Sequence, residues 1–404
     1  MAPEYLEIVP ATPVVSERND NLAEAERIRR LVALHGSPLL ILDCEAVRRQ
    51  YHALQAALPG VDLHYAIKPL PHASVIATLR DEGAYFDLAT NGEVDMVAEA
   101  GVDPIRTIHT HPIKRDSDIR YAMEYGCNTF VFDNPDELKK FIPYAGKVNL
   151  LLRLSFRSPD AKIDLSKKFG CSPDAAMSLL QQAADLGIRV KGLSFHVGSQ
   201  ALEPTKHVEA IKACALLIQQ ARAEGLPALE VVDIGGGFPV DYIDQVQPID
   251  TFCAPIRAAL ATLPAGTRLV AEPGRFIAAP AMTAVSSVMG KAMRDGRWWY
   301  YLDDGVYGSY SGRIFDYNHY PIDSLDFFGE RSPSVLAGPT CDSVDVIEDD
   351  IMLPELDCGA LIVGRMMGAY TSATATDFNF FKKAEIVVIN EHVAEECDVV
   401  PLTA

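Results

Sequence analysis

Eight short apolar runs, separated by stretches of helical periodicity, constrain what this 404-residue chain can become more than any other feature. They are Val61 to Ile67, Ala84 to Leu88, Arg106 to His109, Thr129 to Phe132, Val148 to Leu154, Val190 to His196, Leu229 to Ile234 and Arg268 to Ala271. Between them lie helical patterns such as Gly92 to Ala100, Pro135 to Ile142, Pro173 to Leu186, Pro204 to Ala223 and Phe252 to Leu263, several of them opened by proline. Strands alternating with helices predict parallel βαβ units. Eight units in succession predict an α/β chain with a closed (β/α)8 barrel, in preference to an open doubly wound sheet.

Upstream, Asn21 to His35 carries Leu22, Ile28, Leu31 and Leu34 near helical spacing and is closed by Gly36, while Pro38 to Leu42 reads as a strand outside the eight units. Past Ala278 the rhythm changes to strand-like stretches at Met282 to Val288, Trp298 to Leu302, Ala360 to Val363 and Ala384 to Ile389, broken by Gly, Pro and Asp. The expected division is an N-terminal segment, residues 1–37, packing with the β domain, then a barrel at 38–277 and a β-rich C-terminal domain at 278–404.

A formal net charge of -19 without any basic run argues against nucleic acid as a partner, because a phosphate backbone is held by clustered Lys and Arg. Met1 to Pro10 lacks the basic start and apolar run of a secretory leader, and no apolar stretch is long enough to cross a bilayer, so no membrane partner and a cytoplasmic location are expected. The eight cysteines are scattered without metal-like pairing. Most read as small core residues, and no metal is expected.

Barrel enzymes carry their working groups at the C-terminal ends of the strands. Here Lys68 ends the first run, Asp87 the second and His109 the third; Arg153 lies in the fifth and His196 ends the sixth. Gly235-Gly236-Gly237 follow the seventh, and Glu272-Pro273-Gly274-Arg275 the eighth. Each alone has an ordinary structural reading as a surface charge, a rim ion pair or a tight turn. Together they form a site. Consecutive glycines let backbone N–H groups approach an anion and Arg275 adds a forked cation, so the loops after runs seven and eight suit a phosphate. A lysine facing such a site can form a Schiff base with an aldehyde, and Glu272 can keep a pyridine nitrogen protonated. Phosphate, reactive lysine and ring acid point to pyridoxal 5'-phosphate.

From Gly36 to Val388 the chain resembles the fold type III pyridoxal-phosphate decarboxylases of the ornithine and lysine decarboxylase group, relatives of diaminopimelate decarboxylase and alanine racemase. The resemblance is carried in order by Tyr65-Ala66-Ile67-Lys68, Phe86 to Thr90, His196 to Gln200, Asp233 to Phe238, Glu272 to Arg275, Asp304 to Gly308, Cys341-Asp342-Ser343 and Gly368 to Thr371. It implies that Lys68 carries the cofactor and His196 stacks on its ring. It further implies that Ser199, Gly236, Gly237, Arg275 and Tyr370 hold its phosphate, with Pro273 and Gly274 in the same loop. Glu272 would pair with the ring nitrogen, while Asp87 and Arg153 order the charges around Lys68, and Glu93 falls nearby.

The resemblance also implies a homodimer with shared active sites. Cys341, which returns the proton after carbon dioxide leaves, and Asp342 would come from the second subunit, and Lys168 would pair with Asp345. Asp316, beside Phe315, and Asp342 would grip the distal ammonium of a small amino-acid substrate, two carboxylates that suit a cation. The expected reaction is decarboxylation of a basic L-amino acid. Ornithine, giving putrescine, stands first and lysine second. Arg365 leaves open a modified ornithine with an anionic extension, and a guanidino amino acid is a further alternative. A catalytically inactive regulatory homologue is the competing class, disfavoured because the cofactor ligands are retained. A racemase is disfavoured by Glu272 at the ring nitrogen, where arginine is usual for racemases of this fold.

Overall fold

The computed structural model describes residues 15–156, 168–326 and 329–391; Met1 to Pro10 and the end of the C-terminal segment, residues 392–404, lie outside the described residues. Helix α1 (Val15–His35) precedes strand β1 (Leu39–Asp43) and helix α2 (Cys44–Ala57). Strands β2 (Val61–Ala66), β3 (Tyr85–Leu88), β4 (Thr107–His109), β5 (Thr129–Phe132), β6 (Asn149–Leu154), β7 (Val190–Phe195), β8 (Val231–Asp233) and β9 (Arg268–Ala271) then close a parallel barrel, with Val61 and Leu63 of β2 facing Leu269 and Ala271 of β9. All eight strands fall in the apolar runs that predict them.

Strand alternation fills this barrel twice over. Ile108, Val131, Leu151, Val231 and Val270 form a separate cluster inside it. Their neighbours Phe130, Phe132, Leu150, Leu152 and Val232 belong to the larger core between strands and helices. The helix between β7 and β8, α8 by its place after the helices that follow β2 to β6, spans Thr205–Ala223 and buries His207, Ala210, Ile211, Cys214, Leu217, Ile218 and Ala221. That spacing is one face of a 3.6-residue helix laid on the strands.

The second sheet is built around the 13-residue strand β10 (Met282–Arg294). It continues through β11 (Arg297–Leu302), β13 (Arg331–Ala337) and β14 (Val346–Pro354) on one side and β15 (Leu361–Gly364) and β12 (Ile322–Ser324) on the other. Strand β1 joins this sheet, although the expected division sets residue 38 at the start of the barrel. It pairs antiparallel with β10 and parallel with β16 (Glu385–Ile389). Its apolar run needs cover on both faces: Leu39 and Ile41 pack with Ala25 and Ile28 of α1, and Leu40 and Leu42 enter the main core. Leu22 and Leu34, expected on the apolar face of α1, are exposed, and Ala25, Ile28, Leu31 and Val32 take that role. Five described cysteines are buried, whereas Cys341 and Cys358 are exposed.

Candidate active site

A cavity of about 390 Å³ opens at the C-terminal ends of the barrel strands. Its walls include Lys68, Arg153, His196, Ser199, Gly236, Gly237, Glu272, Gly274, Arg275, Phe315, Asp316 and Tyr370. The chain end of β2 is stitched to its neighbours, with Ala66 N–H donating to the Pro273 carbonyl at 3.0 Å. Pro273 therefore braces the wall without lining it. Lys68 follows after Ile67, its side chain exposed to the cavity.

The charges around Lys68 are strongly coupled. Desolvation presses its ammonium toward deprotonation, but Tyr370, Asp87 and Glu272 outweigh it and hold the pKa above the ordinary lysine value. Asp87 lies behind the wall, 3% exposed, and accepts from the Thr110 hydroxyl. Burial and then repulsion from Glu272 push its carboxyl well up. Burial also raises Glu272, followed by repulsion from and hydrogen bonding to Asp233. Asp233 itself is fully buried and pushed up to about 6, chiefly by desolvation. Three carboxyls sealed together cannot all ionise, so this corner stores protons. His196 is driven well below its usual range by burial and by Lys68, hence neutral. Its Nδ1 accepts from Gly198 N–H at 3.0 Å, which leaves the ring proton on Nε2.

The glycine turn and Arg275 make the opposite wall. A Cβ on Gly236 would lie 2.7 Å from the Glu272 carbonyl oxygen and 3.2 Å from His196 Nε2. Gly237 has φ +99°, and a Cβ there would meet the Gly198 carbonyl at 2.6 Å. Only bare backbone fits here. Arg275 is 6% exposed; its Nε and Nη2 donate to Ser199 Oγ at 3.1 and 3.0 Å, its Nη1 to the Tyr242 hydroxyl at 2.8 Å, and its guanidinium lies 5.0 Å from the Tyr370 ring centroid. A buried fork beside a glycine turn fits a phosphate, and Lys68 and Glu272 in the same cavity fit an aldehyde and a ring nitrogen. The residues thus suit pyridoxal phosphate.

Other expectations meet a different geometry. Asp316 lines the cavity, but its Oδ2 pairs with Arg275 and accepts from Asn318 Nδ2 at 2.7 Å. His109 faces the helix layer, 5.7 Å from Phe130, and does not join the site. Glu93 turns back to accept from Ala89 N–H. Arg365 forms a two-pronged ion pair with Glu24 of α1 at 2.8 and 2.9 Å and takes no part in the cavity, so it cannot serve an extended substrate there. Cys341 and Asp342 do not line the cavity of their own chain. Cys341 N–H donates to Asn379 Oδ1 at 3.1 Å, and Asp342 is held by the Tyr307 hydroxyl and Val344 N–H. Asp345 is occupied by Val306 N–H at 2.9 Å and Thr340 N–H at 3.0 Å while Lys168 lies 5.0 Å from the Phe169 ring centroid, and no ion pair joins the two among the described residues.

Asp233 stands in a quoted motif without a role, and Thr110 and Tyr242 are absent from the expected site. Asp233 opens the glycine motif and Thr110 follows a strand end, two positions that give a signal. Tyr242 lies in an irregular loop and gives none.

Comparison with known proteins agrees with pyridoxal phosphate as the cofactor. The family model for the pyridoxal-dependent decarboxylase, pyridoxal binding domain, matches residues 44–279. The lysine/ornithine decarboxylase of Selenomonas ruminantium is 33% identical over 375 residues, covering 93% of this chain and 95% of that protein. The ornithine decarboxylase of Schizosaccharomyces pombe is 36% identical over 390 residues, covering 92% and 88%. Among solved structures, the lysine/ornithine decarboxylase of Vibrio vulnificus complexed with putrescine superposes with a TM-score of 0.88 at 58% identity, over 92% of this chain and 99% of that one.

Proposed function

The chain belongs to the pyridoxal-dependent decarboxylases of the ornithine and lysine group, and on that premise we propose that it converts L-ornithine to putrescine, with L-lysine as second substrate. The observation that carries this reading is one cavity holding Lys68, Glu272 and Arg275 together with the buried carboxylate of Asp316. Its volume of about 390 Å³ suits a cofactor and a short amino acid. L-lysine is the second substrate because the Selenomonas and Vibrio relatives are lysine/ornithine decarboxylases.

Pyridoxal phosphate supplies the electron sink that accepts the pair left behind when carbon dioxide departs. Lys68 would provide the amine that anchors it, and Arg275, Ser199, Gly236, Gly237 and Tyr370 would bind its phosphate. Glu272 would keep the proton on its ring nitrogen, an acid whose position against Asp233 prevents both carboxyls from ionising freely. Neutral His196 would lie against the ring without adding a competing charge. Asp87 and Arg153 set the field in which Lys68 gains and loses its proton. Asp316, whose Oδ2 is held by Arg275 and Asn318, meets the substrate's distal ammonium through its other carboxylate oxygen. Cys341 of a second copy returns the proton to the α-carbon, and Asp342 of that copy completes the acidic end of the pocket. The assembly is a homodimer, supported by the exposure of Cys341 beside Phe378, Phe380 and Phe381, an apolar edge with Phe380 93% exposed. The cytoplasm is the proposed location, and among the described residues no helix is long and apolar enough to cross a membrane.

The test is to supply the holoprotein separately with L-ornithine, L-lysine, L-arginine and meso-diaminopimelate and measure carbon dioxide and amine. The proposal expects the highest kcat/KM with L-ornithine and a lower one with L-lysine. Faster turnover of L-arginine or diaminopimelate, or no release from any of the four, contradicts the substrate assignment.

A further inference from the structure

His207 is a buried titratable residue that the chemistry above leaves without a task. It lies in the first turn of α8, fully buried, stacked on Phe238 with centroids 5.6 Å apart and flanked edge-on by Phe195 and Phe252. Burial in this aromatic box pushes its pKa down to about 4 against the pull of a single backbone hydrogen bond, so the ring is neutral. That bond joins Nε2 to the Gly236 carbonyl at 3.0 Å. A carbonyl oxygen only accepts, which puts the ring proton on Nε2. Nδ1 is left with no partner among the described residues. An imidazole held at that cost makes one polar contact, and the contact is with the glycine turn.

Peptide geometry gives the contact its consequence. In a trans peptide the carbonyl of Gly236 and the N–H of Gly237 point in opposite directions. With the oxygen held on the α8 side, the Gly237 N–H faces away from α8. Both glycines line the cavity, and neither N–H meets an acceptor among the described residues. Glycines have no side chain to fix such a peptide; Glu272 N–H holds the Gly235 carbonyl at 2.8 Å and Ala201 N–H the Gly237 carbonyl at 2.9 Å, and the Gly236 carbonyl between them is held by His207.

We propose that His207 is the positioning residue of the phosphate cradle: its Nε2–H holds the Gly236 carbonyl back and so aims the Gly237 amide at the cofactor phosphate. The proposal rests on the cofactor reading above. It is tested by titrating cofactor-free wild type, His207→Phe and His207→Gln with pyridoxal phosphate and, separately, with pyridoxal, which lacks the phosphate, after recording each melting transition. His207→Phe is expected to bind pyridoxal phosphate about tenfold more weakly, for one lost hydrogen bond, and pyridoxal nearly as wild type does. His207→Gln, whose amide can reach the same carbonyl, is expected to recover most of the loss. If His207→Phe does not fold, His207→Leu carries the same comparison of the two ligands. Unchanged affinity, or equal weakening for both ligands, overturns the proposal and makes His207 a packing residue. A wild-type protein that binds neither ligand overturns the cofactor reading and the proposal with it.

Discussion

The buried ion pair between Arg275 and Asp316 gives the sharpest energetic prediction. Both side chains are nearly closed to solvent, at 5% and 6% exposure. Removing one partner of such a pair typically costs about 3–5 kcal/mol, because the other charge is stranded in low dielectric. Asn318 still donates to the same Asp316 oxygen at 2.7 Å, which favours the lower end, about 3 kcal/mol, for Arg275→Ala. Asp316→Asn removes the stranded charge. In the double variant Arg275→Ala/Asp316→Asn, the total cost should therefore fall short of the sum of the single costs by about 2 kcal/mol, within the range for contacting residues. Urea unfolding of the cofactor-free protein, with the four proteins compared at equal m-values, measures each term. Costs that simply add, within about 0.5 kcal/mol, would refute the coupling and the buried charge behind it.

Three further outcomes follow from the geometry. His109 has both ring nitrogens buried without partners and a pKa pushed down to about 3, mainly by burial. The unfolded chain therefore takes up this proton first as pH falls below about 6.5, and stability is full above that value and lost on the way down. His109→Met should recover about 2 kcal/mol of that loss at about pH 5, read from the pH dependence of Tm in wild type and variant; parallel curves would contradict it. Lys114 is buried against Glu137 at 3.0 Å and donates to the His111 and Val131 carbonyls, each at 2.7 Å. Lys114→Met should cost about 3 kcal/mol of stability while leaving kcat unchanged, and a thermal melt beside a rate assay checks both. If active sites are shared, inactive Lys68→Ala and Cys341→Ala chains mixed at random should regain about a quarter of wild-type activity, because only one site of each mixed dimer is whole. Activity that stays at the level of the separate variants would place both residues in a site within one chain.

The barrel was legible because its strands announce themselves as apolar runs, and most of them a second time by a polar residue at or near the end. Lys68, Arg153, His196, the triglycine turn and Glu272 to Arg275 could be found by asking what stands at the strand ends. His109 satisfied the same criterion and failed, since side-chain alternation turns it to the helix layer beside Phe130. Strands β13 and β14 were hidden by polar and breaking residues. Pro333, opposite Met352 of β14, falls just before the pairing of Ser334 with Trp298 of β11, and Glu348-Asp349-Asp350 lies in the edge strand, where charge is tolerated. Contacts distant in sequence left no local trace: the capture of Arg365 by Glu24, of Asp316 by Arg275, and of the Gly236 carbonyl by His207 depends on packing between elements far apart in the chain.

Whether Lys68 anchors pyridoxal phosphate at the barrel mouth is decided by borohydride reduction of the holoprotein followed by peptide mass spectrometry. A single reduced pyridoxyl group is expected, carried by the peptide containing Lys68 and lost in Lys68→Ala. A label on another lysine, or none on a protein saturated with the cofactor, would contradict it.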